Sequence, residues 1–240
     1  MYTYDIRVGF SQSDTKHNMT IPAIIDTYQD CSCFHSEDLG VGIYKLEPQK
    51  LVWVINYWEV EFLRAPKYPE KLTVGTFPYE FKGFLGMRNF FLKDEQGEYI
   101  SKANSLWCLM DWENMRPAKV PAEIKDAYIS EDKLDMTYSP RKISIPDEED
   151  ERVKRDDEPV IFIEEHHLDS NGHVNNGQYI KIAFAYVPKD IEYKRLRVEY
   201  KTQAHLGDEI HPVLYTGKDF YTVVLSNNEG APYAVIELKY

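Results

Sequence analysis

Two stretches of this chain repeat one order: a strand-like run, a polar loop opening on aspartate, then an apolar helix-like segment. The first loop reads Asp14-Thr15-Lys16-His17-Asn18-Met19, ahead of an apolar segment beginning near Ile21. The second reads Asp169-Ser170-Asn171-Gly172-His173-Val174, ahead of the apolar residues 179–187. Strand-rich text follows each. Self-similarity at this scale means one unit used twice. A strand–helix–strands unit buries its helix against an antiparallel sheet. The expected class is α+β, with one domain per repeat.

The local signals agree with that order. Residues 2–10 read as a strand, Thr20 as a helix cap with Pro22 in the first turn, and Gly40 as the end of the helical region. Ile24, Ile25, Tyr28, Cys31 and Cys33 give this helix its apolar side. Residues 51–62, 71–81, 86–92 and 99–112 are strand-like, and the turn at 93–97 makes the last two a hairpin. In the second half, residues 160–163 read as a strand and Asn175 or Asn176 as the cap. Val187-Pro188 is the helix stop. Residues 195–202 alternate, with Leu196, Val198, Tyr200 and Thr202 on one side and charges on the other. Residues 209–215, 220–225 and 233–240 are further strands. The expected domains are 1–121 and 160–240, joined by an acidic, proline-punctuated connection at 122–159 with one short helix.

The second loop is the candidate site. Asp169, Asn171, His173, Asn175 and Asn176 crowd polar groups beside a buried helix. The free N–H groups of that helix's first turn would face an anion formed near His173. An ordinary turn is the competing explanation, since Asn171-Gly172 is a turn dipeptide. A metal set of His166, His167, Asp169 and His173 is disfavoured, because adjacent histidines on a strand point to opposite faces. No metal and no cofactor is expected.

A net charge of −12 argues against nucleic-acid and anionic-membrane surfaces. No run of apolar residues is long enough to span a membrane, and residues 1–5 show no signal-peptide pattern, so a cytoplasmic location is expected. Three cysteines, Cys31, Cys33 and Cys108, fit reduced thiols.

The chain resembles the acyl-acyl-carrier-protein thioesterases of plants and bacteria, as a bacterial member. The resemblance is carried by Asp169-x-Asn171-x-His173-Val174-Asn175-Asn176 followed by Tyr179-Ile180. In the first half it is carried by Gly86-Met87-Arg88, Leu92-Lys93-Asp94, Gly97-Glu98 and Ala103-x-Ser105-x-Trp107. Val198-Glu199-Tyr200-Lys201 completes the ordered set. The fold this implies is two tandem hotdog domains, each a long helix wrapped by an antiparallel β-sheet. The activity it implies is hydrolysis of the thioester of fatty acyl-[acyl-carrier-protein], releasing free fatty acid in fatty acid biosynthesis. The implied partner is acyl carrier protein bearing a fatty acyl chain; a homodimer is left open, since one chain already holds the pair of domains.

The resemblance assigns Asp169, Asn171 and His173 to catalysis. Plant members carry a Glu-Cys pair on the later strand, where this chain has Gln203 and Ala204. Attack by an activated water is then simpler than attack by a thiolate. Asp169 or His173 would take the water's proton, Asn171 would hold the water or the carbonyl, and helix N–H groups would stabilise the oxyanion. Gln203 at most orients. The first-half loop, with Asp14 and His17, is expected to be a degenerate copy. Acyl carrier proteins are acidic, so an acidic chain needs a local basic patch; Lys194, Arg195, Arg197 and Lys201 are candidates, as are Lys82 and Arg88. An acyl-CoA thioesterase, a hotdog hydratase or dehydratase, and a non-catalytic acyl-binding regulator are the alternatives.

Overall fold

The computed structural model describes residues 1–147, 150–169 and 172–240, and the chain divides into two units. The first is Met1–Asn56 with Val60–Tyr138; the second is Tyr57–Glu59 with Ser139–Tyr240.

In the first unit the elements are β1 (Tyr2–Arg7), α1 (Ile21–Asp38), the single turn α2 (Ile43–Leu46), β2 (Leu51–Phe62), β3 (Lys71–Lys82), β4 (Leu85–Asp94), β5 (Tyr99–Asp111), β6 (Arg116–Pro117) and α3 (Ala122–Ala127). Strand order is β1-β3-β4-β5-β2, with β1 antiparallel to β3 from Tyr2↔Thr76 to Arg7↔Lys71. α1 starts where expected: Thr20 Oγ1 accepts the Ala23 N–H at 3.3 Å, and Pro22 occupies the first turn. Ile24, Ile25, Tyr28, Cys31 and His35 recur at helical spacing and are all buried. That stripe packs on β3, so the helix lies along the sheet. Gly40, at φ +68°, ends the helical region in the left-handed conformation that glycine adopts without strain.

Arg88 is not a surface cation. It is buried in β4, its Nη1 is 3.0 Å from His35 Nδ1 and donates to Thr76 Oγ1 at 3.3 Å, and its guanidinium lies over the Tyr128 ring. Burial, reinforced by this cation, pushes the His35 imidazole down to about 4.

The second unit repeats the plan with β7 (Lys154–Asp157), β8 (Ile161–Phe162), α4 (Asn176–Ala183), β9 (Arg195–Tyr200), β10 (Glu209–Thr216), β11 (Phe220–Ser226) and β12 (Pro232–Lys239). Strand order is β9-β12-β11-β10-β7, with β8 also on β10. Each unit is thus a helix on an antiparallel sheet, the hotdog arrangement. α4 is shorter than the periodicity of residues 179–187 suggests. Ala185 and Tyr186 donate to the carbonyls of Ile182 and Ala183, three residues back, and these tight bonds close the helix before Val187.

Parts of the stretch 122–159, expected as an acidic connection with one short helix, pack into the two units, and the helix is α3. Ile124 and Tyr128 pack with Val41, Leu46, Leu109 and Val120 in the first unit. Ile143 packs with Tyr215, Val224 and Val235 in the second, where β7 pairs with β10.

The charged side of β9 is not a free basic face. Arg195 pairs with Glu59, which is fully buried and also accepts the Ser139 N–H at 2.8 Å. Arg197 donates to Tyr57 Oη at 2.9 Å, to Glu237 at 3.1 Å and to the Pro140 carbonyl at 2.7 Å. Lys201 pairs with Glu199, and Lys194 with Glu192. Carboxylates thus pair with each of these four cations, which the sequence offered as a basic patch.

Candidate active site

The second polar loop closes on itself. Asp169 N–H donates to the His173 carbonyl at 2.8 Å, and Gly172 N–H donates to the Asp169 carbonyl at 3.1 Å. Asp169 Oδ1 in turn accepts the His173 N–H at 3.3 Å. Gly172 takes φ +75°, which the tight turn requires and glycine supplies. The first loop makes the same bonds. Asp14 N–H donates to the Asn18 carbonyl at 2.8 Å, His17 N–H to the Asp14 carbonyl at 3.0 Å, and Asn18 N–H to Asp14 Oδ1 at 2.8 Å. His17 sits at φ +63°, the place of Gly172.

The correspondence runs outward from both loops. Met19 N–H donates to the Pro66 carbonyl at 2.7 Å, as Val174 N–H does to the Ala204 carbonyl at 3.0 Å. Asn18 bridges to Lys67 as His173 bridges to His205. Asn18 therefore holds the position of His173, and Lys67 that of His205. The polar loop is a fold requirement in both units. An imidazole at the position of Asn18 and His173 is confined to the second.

Around His173, which is half-buried, the chain places three further features. Asn175 caps α4 as expected: its Oδ1 accepts the Gly177 N–H at 2.8 Å and its carbonyl the Gln178 N–H at 2.9 Å. Two of the first-turn donors expected to face an anion are thereby committed to the cap. Ala204 is fully buried, and its N–H donates to Tyr179 Oη at 2.9 Å; burial pushes that phenol up to about 12. His205, which sequence reasoning missed, is exposed and opposite His173, with ring centroids 5.0 Å apart and planes at 78°. Its own N–H donates to Asp208 Oδ2 at 2.8 Å, and its Nδ1 lies 3.7 Å from the same oxygen. The contrast with Lys67 is the signal that could have found it.

Asp169 and His173 are brought together. Gln203 lies beyond the end of β9 with its side chain exposed. Asn171 lies outside the described residues. His166 and His167 stand on a single 3-10 turn, Glu165–His167, not on a strand, with rings 3.9 Å apart. Among the described residues no group of three or more His, Cys, Asp or Glu side chains is placed to hold a metal ion. No helix among them is long and apolar enough to cross a membrane.

Comparison with known proteins bears on this geometry. A family model described as the acyl-ACP thioesterase N-terminal domain matches residues 1–128, and one described as the C-terminal domain matches residues 151–239. Oleoyl-acyl carrier protein thioesterase 2, chloroplastic, of Arabidopsis thaliana is 25% identical over 210 residues, covering 79% of this chain and 56% of that protein. The chain thus spans little more than half the length of that relative. A crystal structure of an acyl-ACP thioesterase from Bacteroides thetaiotaomicron superposes with a TM-score of 0.88 at 22% identity, covering 99% of this chain and 96% of that one. The 12:0-ACP thioesterase from Umbellularia californica does so with a TM-score of 0.83 at 19% identity, covering 99% and 96%. The two likenesses show the shared fold, and the two family matches, in order along the chain, show that it belongs to the acyl-ACP thioesterase family.

Proposed function

We propose that this protein hydrolyses the thioester of fatty acyl-[acyl-carrier-protein], with the loop of Asp169, Asn171 and His173 as its active site. One observation carries the assignment: two loops with the same backbone hydrogen bonds differ in that asparagine stands in one where histidine stands in the other. An aspartate common to both copies is explained by the turn it closes. An imidazole at the bridging position, where the first copy has Asn18, is not, and imidazole is the usual proton acceptor at neutral pH.

His173 takes a proton from water as the water oxygen attacks the thioester carbonyl. The resulting oxyanion collapses, the C–S bond breaks, and the leaving thiolate recovers the proton. Asp169 holds the loop in shape, and Asn171 holds the water or the carbonyl oxygen. Gln203, in place of the plant glutamate, has no proton to exchange and at most orients. Ala204 supplies no nucleophile. Cys31, Cys33 and Cys108 are not in disulfides, which fits a cytoplasmic protein, and a chain with two such units needs no homodimer for this chemistry.

The test is a panel of acyl-carrier-protein thioesters of graded chain length, the matching CoA thioesters, and a 3-hydroxyacyl thioester. Release of fatty acid and thiol in equal amounts, with carrier-protein substrates preferred, supports the proposal. Dehydration of the 3-hydroxyacyl substrate, or binding without turnover, refutes it.

A further inference from the structure

His173 and His205 sit directly opposite each other across an isolated antiparallel bridge, their rings edge to face. We propose that His205 is a positioning residue: its ring, on a backbone anchored by Asp208, holds the His173 imidazole in the orientation from which it takes the water's proton. The inference rests on the assignment of His173 to catalysis.

Three observations carry it. First, the pair of rings is not demanded by the fold, because the first unit closes the same loop and the same bridge with Asn18 and Lys67. Second, a base must be oriented by a neighbouring group. Among the described residues, Asp169 Oδ1 accepts the His173 backbone N–H, Ala204 has no polar side chain, and Gln203 is exposed, while the His205 ring faces that of His173. Third, the backbone of His205 is itself anchored. Asp208 Oδ2 accepts its backbone N–H at 2.8 Å, lies 3.7 Å from its Nδ1, and accepts the Tyr233 hydroxyl at 3.4 Å. A centroid distance of 5.0 Å at 78° is within the favourable range for edge-to-face aromatic pairs. Asp208 thus anchors the backbone of His205, whose ring packs edge to face on the His173 imidazole.

The experiment compares His205→Ala, His205→Phe and His205→Lys, the last being the residue of the first unit. His205 is exposed, so these variants should fold; unchanged unfolding midpoints would verify it. Misplacing a catalytic group by about an ångström costs up to about a hundredfold. The Ala and Lys variants should therefore lose about ten- to a hundredfold in kcat, with KM within about twofold. His205→Phe keeps a ring in place and should stay within about threefold of the parent. NMR relaxation of the His173 ring, read without any turnover, should show order lost in the Ala variant and retained in the Phe variant. A Phe variant as slow as Ala would overturn the proposal, since the imidazole itself would then be needed. So would an Ala variant of parental rate, or one whose His173 ring stays ordered. Should His173→Ala instead prove active, the catalytic assignment fails, while the ring-order result still reports on positioning.

Discussion

Asn18 in the first unit and His173 in the second occupy the same point of the same loop, each donating its backbone N–H to an aspartate four residues earlier. That equivalence separates what the loop does for folding from the chemistry proposed for it. Asp14→Ala and His17→Ala should therefore keep turnover within about tenfold of the parent, while Asp14→Ala costs about 1 kcal/mol or more of stability through its lost backbone hydrogen bonds. Steady-state rates and chemical denaturation measure the two. Loss of turnover in stably folded first-loop variants would place the site in the first unit and contradict its assignment to the second.

The cysteines should be dispensable. Cys31 is fully buried and burial pushes its thiol up to about 12; Cys33 is pushed up by the same cause. Neither is a thiolate at neutral pH. Replacing Cys31, Cys33 and Cys108 together with Ala should leave kcat within about tenfold, with stability reduced by the lost packing. A trapped acyl-cysteine on mass spectrometry would contradict water attack.

Arg195 should be a stability residue, not a docking residue. Its partner Glu59 is wholly buried and also receives the Ser139 N–H and the Tyr57 hydroxyl. Arg195→Ala strands that carboxylate, and breaking such a pair costs about 3–5 kcal/mol, discounted here because Arg195 is partly exposed. The expected outcome is a lowered unfolding midpoint with little change in KM for carrier-protein substrates. An unchanged midpoint with a raised KM would restore Arg195 to the partner surface.

Acid should destabilise the first unit through His35. Its folded-state value is about 4 against an ordinary 6.5, so between those values the unfolded chain binds more protons than the folded one. Stability then falls as pH drops from about 6.5 towards 4 and is unaffected by this group above that window. Denaturation midpoints for the parent and His35→Gln across that range should show a shallower acid slope in the variant. Parallel slopes would show that the ring is protonated at no cost.

Sequence periodicity located the elements whose faces differ in polarity. The α1 stripe from Ile24 to His35, the Thr20 cap and the hairpin around Gly97 all follow from local patterns. The early end of α4 was not legible, because it depends on three-residue-back bonds at Ala185 and Tyr186 rather than on apolar spacing. Nor were the partners of Arg195 and Arg88, which come from residues far along the chain: Glu59 for one, His35 and Thr76 for the other. At the site, the Asp–x–Asn–x–His spacing marked His173. His205 escaped notice because a bridge between distant segments creates its contact.

The most direct test is the release of free fatty acid from a fatty acyl-carrier-protein thioester by the parent protein and by His173→Ala, assayed side by side. General-base removal should lower kcat by about 10²–10⁴ with a much smaller change in KM. His173→Ala with parental turnover, or a parent protein that releases no fatty acid, would contradict the assignment of this loop as the active site.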